Sequence, residues 1–280
     1  MSDYVPAPYA SWAPIPDGLV VAAGDWYGVV RGQAACDVRD QLAGGHGVSG
    51  ASAPLVGRLA EQGVLQRAGT ADSSYLALLR AGKAADRPVE RELPQAITVQ
   101  GRDGLGDAIA ELLGAELGAR RVDVHRDRGF HPCPADRLAV VVAGTEDASE
   151  LPEVNRAFLK SGTSWILVDS RAVVPVLVGP LFVPEETGCL ECLWTRRSST
   201  VIHPNEYGAL LRDRTAGAAG PWHRHMVAGL AASLVLGWVL AGDPWLRGAC
   251  FELSLDEGPA ISRHEHLPVP SCPACGGGDA

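Results

Sequence analysis

Apolar and polar positions divide this chain into two stretches of different character. From Trp12 to Arg31, short apolar runs such as Leu19-Val20-Val21 alternate with turn signals at Pro16-Asp17-Gly18 and Gly24-Asp25, which predicts a small β-meander of two or three strands. A short helical stretch follows around Val38 to Leu42, then a glycine-rich break from Gly44 to Gly50, then a helix from about Ser52 to Gln62. Pro54 suits the first turn of that helix and Gly63 its stop, with Leu55, Leu59 and Gln62 on one side. Together with a return at Val64-Leu65, residues 1–82 read as a small winged-helix-like α+β domain.

Residues 83–95 lie in a charged segment with two prolines and almost no apolar periodicity, and they read as a linker. The pattern then changes. Ile97-Thr98-Val99 is a buried-type strand, GRDGLG turns it, Asp107 to Leu117 is a helix, and Arg121 to Val124 is a second strand. A strand from Leu138 to Ala143, a helix from about Pro152 to Lys160 and a strand from Trp165 to Val168 continue the alternation. Strands alternating with helices imply a mostly parallel sheet, so 96–280 is expected to be an α/β, Rossmann-like domain. The most apolar stretch, Met226 to Ala241, is short for a membrane span of about 20 residues and is expected to be a buried helix.

Composition supports this division. At 280 residues, with 46% hydrophobic and 20% charged, the chain can bury two ordinary cores. A net charge of -9 argues against a protein that lives on nucleic acid. The N-terminal residues show no basic region followed by an apolar run, so no secretory signal is read and a cytoplasmic protein is expected.

Seven cysteines form an odd set, and four fall into two C-x-x-C pairs, GCLEC at 188–192 and SCPAC at 271–275. Each pair sets two thiolates one tight turn apart. Two pairs supply the four soft ligands of a tetrahedral site, so Cys189, Cys192, Cys272 and Cys275 are expected to hold one structural zinc ion. With four thiolates no position stays open for a water, which argues against a catalytic zinc. A redox dithiol or plain buried cysteines are the competing readings. Cys36, Cys133 and Cys250 are read as ordinary core or surface residues.

Gly101, Gly104 and Gly106 sit where a strand feeds a helix, a place where a phosphate can meet helix N-terminal amides. The spacing is G-x-x-G-x-G rather than G-x-G-x-x-G, and Asp103 puts a carboxylate where phosphates would approach. This is read as a degenerate turn with no cofactor. No G-x-S-x-G, H-E-x-x-H or G-x-x-x-x-G-K-[ST] motif is present. His223, His225, His264 and His266 come in i, i+2 pairs and read as surface or loop residues. Arg196 and Arg197 have the chemistry to grip an anion or a partner carboxylate, or to line a solvated turn.

The segments VPVLVGPLFVPEETGCLECLWTRR at 174–197 and HLPVPSCPACG at 266–276, with the helix near Met226, resemble the ThiF-like proteins of azole-forming peptide biosynthesis. The stretch from 179 to 192, G-P-L-x-x-P-x-x-T-x-C-x-x-C, is the most specific part of the resemblance. That family descends from the ubiquitin-activating-enzyme superfold, holds structural zinc in its two knuckles and pairs with a YcaO enzyme. Its members usually carry an N-terminal winged-helix peptide clamp, a precursor-peptide recognition element, to which residues 10–80 are similar in layout. Such a clamp recognises its leader peptide by strand addition. Carried onto this chain, the resemblance implies an edge near Val29, Val30 and Arg31 and a groove wall of Leu55, Arg58, Leu59 and Gln62, although Leu55 and Leu59 also read as inward-packing core.

Active adenylating relatives surround ATP and magnesium with a pattern of asparagine and glutamine that HRDRGFHPCPADR, at 125–137, lacks. The implied role is a noncatalytic partner that binds a precursor's leader and presents it to a YcaO cyclodehydratase for thiazoline or oxazoline formation. An adenylating enzyme acting on a peptide is one alternative, and a zinc-containing winged-helix DNA-binding regulator is another. A homodimer is left open.

Overall fold

Pro16-Asp17 makes a two-residue turn because Gly18, the next residue, lies against a backbone that leaves no room for a side chain. A Cβ there would sit 2.0 Å from the Val30 carbonyl oxygen. The structure, a computed structural model, describes residues 4–7, 10–23, 26–44, 47–49, 53–68, 94–118, 122–144, 147, 149–171, 175–212, 221–242, 246–254 and 258–276. The turn signal at Gly24-Asp25 and nearly all of the 83–95 linker lie outside the described residues. Two units divide at residues 91 and 92.

In the first unit β1 (Tyr4–Pro6) pairs antiparallel with β5 (Leu65–Arg67), while β2 (Ala10–Ile15), β3 (Gly18–Ala23) and β4 (Trp26–Arg31) form the predicted antiparallel meander. Helices α1 (Gln33–Ala43) and α2 (Ala53–Glu61) lie between β4 and β5 in the chain. Period-2 alternation decides which face is wet. Leu19, Val21 and Ala23 of β3 are buried against Ala35, Val38 and Leu42 of α1 and Leu55, Val56 and Leu59 of α2, whereas Tyr27, Val29 and Arg31 of β4 face solvent. Burying each of these Leu and Val side chains contributes about 1.5–3 kcal/mol, enough for a small α+β core. Helix α1 starts earlier than its apolar positions alone suggested, directly after Gly32, whose φ of 101° breaks the strand.

The second unit is built on a seven-stranded sheet in the order β12-β11-β10-β9-β8-β6-β7. Strands β6 (Ala96–Gln100), β7 (Asp123–Asp127), β8 (Arg137–Ala143) and β9 (Ser164–Asp169) are parallel, as the alternation predicted. Three antiparallel strands extend it, β10 (Val176–Phe182), β11 (Ala249–Ser254) and β12 (Ala260–Glu265), so the sheet is mixed. All seven residues of β10 are buried, which erases the alternation that marks a half-buried strand. The register of β10 shifts between Val178 and Leu181, where Gly179 adopts φ 85° and the Gly179-Pro180 peptide is cis.

Helices α3 (Gly104–Leu117) and α4 (Leu151–Ser161) connect the parallel strands, and α5 (Leu190–Ser199), α6 (Pro204–Arg212) and α7 (Pro221–Ala241) follow β10. Helix α3 begins three residues before its predicted start because Asp103 caps it, accepting from the Leu105 and Gly106 amides. The helix near Met226 is long and apolar enough to cross a membrane by length and composition, yet 61% of its apolar window is buried within the protein. It packs against α3, with Val227, Ala231 and Val235 fully inside.

Candidate functional site

Residues 183–188 deliver the first cysteine pair. Thr187 closes a turn by accepting the Val183 amide on Oγ1 at 2.9 Å, and the chain then enters α5 with Cys189 as its N-cap residue. Cys192 follows one turn later on the same helix face. The second pair, Cys272 and Cys275, sits in a tight turn closed by the Gly276 amide on the Cys272 carbonyl. The four sulfurs all lie within 4.8 Å of one another, with Cys189–Cys272 at 3.6 Å, Cys192–Cys275 at 3.4 Å and Cys189–Cys192 at 4.0 Å. A tetrahedral thiolate site with metal–sulfur bonds of about 2.3 Å has sulfurs roughly 3.8 Å apart. The cluster therefore fits a structural metal.

Burial governs the protonation of these thiols. Burial pushes the Cys189 thiol up to about 11 and pushes Cys275 upward as well, so neither readily stands as a bare thiolate. Burial also opposes ionisation of Cys272, but backbone hydrogen bonds from Cys275 and Ala274 bring it down to about 7. A metal ion replaces the protons that would otherwise neutralise the cluster. The Val269 amide donates to Cys192 Sγ at 3.3 Å. Asn155 of α4, fully buried, accepts the Leu190 amide at 3.1 Å, at the first turn of the helix that carries Cys189 and Cys192. The sequence reading missed Asn155. A polar residue within the apolar stripe formed by Leu151, Val154 and Phe158 was the available signal.

Arg196 is not an anion grip. Its guanidinium donates to the carbonyls of Leu267 at 2.6 Å and Pro268 at 2.8 Å, fastening the segment that leads to the second cysteine pair. Arg197 pairs with Glu252 of β11 and reaches Tyr207 of α6. Two of the four histidines also depart from the surface reading, because His223 and His266 are buried. His266 packs edge-on against Phe182, with ring centroids 5.9 Å apart.

At the glycine-rich turn the space is taken by the protein's own side chains. Gly101 adopts φ 151° and donates its amide to the Asp127 carbonyl. Asp103 uses the helix N-terminal amides for its own cap. The Arg126 guanidinium lies over Gly106, 2.7 Å from where a Cβ would stand, and bonds Asp107 at 2.7 Å and the Asp103 carbonyl at 3.1 Å. Arg128 donates to the Arg102 carbonyl, and Arg102 itself bridges Asp147 and Glu150 while stacking over Phe130. A carboxylate already occupies the amides that would cradle a phosphate. Gly101, Gly104 and Gly106 thus shape a strand-to-helix turn closely lined by Asp103 and Arg126.

In the first unit, β4 has β3 on one side and no paired strand on the other among the described residues. Tyr27 is 76% exposed and Val29 52%, Val30 is half-buried, and Arg31 is exposed in an ion pair with Asp17. On α2, Leu55 and Leu59 point into the core while Arg58 is exposed, as is Gln62 just past the helix end.

Comparison with protein-family models and with curated proteins gives no match. Solved structures do match. The heterocyclase TruD superposes with a TM-score of 0.60 at 21% identity over 99% of this chain, and a heterocyclase in complex with substrate and cofactor gives 0.58 at 21%. The chain shares its fold with these heterocyclases. It spans about two-fifths of their length, 43% and 40% respectively. E. coli MccB, solved with ATP, matches with a TM-score of 0.59 at 15% identity, covering 98% of this chain and 100% of MccB. The microcin C7 biosynthetic enzyme MccB, in complex with N-formylated MccA, gives 0.57 at 14%. The resemblance to ThiF-like proteins of azole-forming peptide biosynthesis therefore holds at the level of the fold.

Proposed function

We propose that this chain binds the leader of a ribosomally made precursor peptide and presents it to a YcaO-type cyclodehydratase for thiazoline or oxazoline formation, without activating the peptide itself. The observation that carries this reading is the open outer edge of β4. An extended peptide can add there as a fourth strand, with main-chain hydrogen bonds for affinity and side-chain contacts for selectivity. Val29, Val30 and Arg31 supply the edge, and Arg58 and Gln62 are the exposed positions of a groove wall underlain by Leu55 and Leu59. In this reading residues 1–82 are a winged-helix-like clamp, 83–95 a tether and 96–280 a scaffold.

The metal in the four-cysteine site is zinc, which suits an all-thiolate, closed, tetrahedral set. Its role is structural. The protein works in the cytoplasm, where thiols stay reduced and available to a metal. Fluorescence polarisation of a labelled leader peptide, taken from a precursor encoded beside this protein, tests the proposal. Saturable binding is expected, weakened about tenfold by Val29→Asp, an exposed position where the change leaves the core intact. No binding to any neighbouring precursor sinks the idea.

A second reading, an enzyme that adenylates a peptide, draws on the likeness to MccB, which has been solved with ATP. The turn occupied by Asp103 and Arg126 speaks against it. Pyrophosphate exchange with ATP separates the two, and none is expected here.

A further inference from the structure

A cavity of about 330 Å³ lies where the last turn of α5 meets α6, β11 and β12. That is the small end of the roughly 300–1,000 Å³ range of small-molecule sites. Leu193, Val201 and the Tyr207 ring supply apolar lining. Its charged lining is divided by wall, with Arg196 and Arg197 on the helix, Glu252 on β11 and Glu265 on β12.

The protein's own contacts leave part of this charge open. Arg197 and Glu252 pair with each other, and both side chains are about four-fifths buried. Arg197 uses its two terminal nitrogens, on Glu252 and on Tyr207 Oη, while its Nε has no partner among the described residues. Glu252 gives Oε1 to the arginine. Its Oε2 has only His264 Nε2 at 3.4 Å, and that nitrogen already bonds the Ser262 hydroxyl at 2.9 Å. The hydrogen bonds of Arg196 go to carbonyls, which carry no formal charge, so its positive charge meets no carboxylate among the described residues. Glu265 has Arg263 at 3.8 Å.

A bare ion suits one wall and is repelled by the other. A phosphate would meet two glutamates, and a polyamine would meet two arginines. A small molecule carrying both charges suits both walls, and a free α-amino acid is the smallest of that kind. Its carboxylate would turn toward Arg197, in the field of Arg196, and its ammonium toward Glu252 Oε2 and Glu265. Its side chain would rest on Leu193, Val201 and Tyr207. Charge-assisted hydrogen bonds to half-enclosed partners are stronger than the same bonds on an open surface.

We infer that this cavity binds a free α-amino acid with an apolar side chain. The site uses neither the edge of β4 nor the four cysteines, and it is independent of whether the first unit binds a leader.

Isothermal titration calorimetry of the full, metal-loaded chain with L-leucine, L-methionine and L-phenylalanine tests the inference. Saturable one-to-one binding is expected for at least one of them, with a Kd of about 1 mM or tighter. The N-acetyl form of that amino acid lacks the ammonium and its amide lacks the carboxylate, so each should bind about tenfold more weakly or worse. Glu252→Gln should weaken binding about tenfold by removing the charge that faces the ammonium. Because Glu252 also holds Arg197, a second variant leaves that pair alone. Val201 is 36% exposed, and Val201→Trp fills the space beside it, so binding should be lost while far-ultraviolet circular dichroism stays unchanged. Chelation of the metal would also need both ammonium and carboxylate, but Val201→Trp would not touch it. Binding that survives Val201→Trp therefore overturns the inference. So does equal binding of the blocked forms, indifference to Glu252→Gln, or no saturable heat with all three amino acids.

Discussion

Arg171 is completely buried, and its guanidinium grips both carboxylate oxygens of Asp169, at 2.8 and 2.7 Å, while donating to the Leu211 carbonyl at 2.7 Å. Removing one member strands the other charge in a dry interior. Arg171→Leu is therefore expected to cost about 3–5 kcal/mol in urea unfolding, and replacing both Asp169 and Arg171 by leucine should cost much less. The triplet Asp169-Ser170-Arg171 gave no sequence signal, because arginine is usually exposed and only the fold reveals that α6 closes over it. The ion-pair cluster that Arg102 forms beside the glycine-rich turn responds to pH instead. Hydrogen bonding to Arg102 holds Glu150 below its ordinary 4.5, so its contribution is complete above that pH and is lost as pH falls through the lowered value. Asp147 runs the opposite way, because burial raises it above 3.8. A pH series of unfolding curves should thus show Glu150→Gln less stable than wild type at neutral pH, with the two converging in acid.

At the scale of elements, α5 carries a cysteine at its N-cap, a second one turn on, and two arginines in its last turn that reach the segment 267–268 and strand β11. A metal held by the four cysteines would grip the same stretch of chain that Arg196 fastens from the other end of the helix. Stripping the metal with a chelator, or Cys192→Ser, is expected to lower the melting temperature by about 10 °C or more, with elemental analysis giving about one zinc per chain beforehand. A metal-free protein that melts at the same temperature would contradict this. Both cysteine pairs were legible because spacing alone defines a soft-ligand site. The strands β6, β8 and β9 and helices α3 and α4 were legible because their apolar runs and caps agree. The antiparallel strands β10, β11 and β12 were not, since one is buried on both faces and another exposed throughout, so neither shows a period of two. Asn155 and the Arg126 network arise from contacts between segments distant in sequence, and no local pattern records such contacts.

Across the whole molecule, Asp103 and Arg126 crowd the glycine-rich turn of the α/β sheet, and among the described residues the larger sheets end in unpaired edges, β2 and β4 in one unit and β7 and β12 in the other. A mostly parallel sheet followed from the alternation of strands and helices, whereas the strand order and the free edges could be recognised only once pairing was known. The sulfur cluster has a consequence for chemical durability. Sulfurs 3.4–4.0 Å apart are one small movement from bonding to each other, so an oxidant such as peroxide can convert two neighbouring thiols into a disulfide and water. Metal-free protein kept in air is expected to lose four titratable thiols, counted under denaturing conditions, while zinc-loaded protein keeps all seven. Equal loss from both forms would show that the ion gives no shelter. Zinc is then an antioxidant for its own ligands, and metal shortage and oxidative stress would damage this protein at the same four atoms.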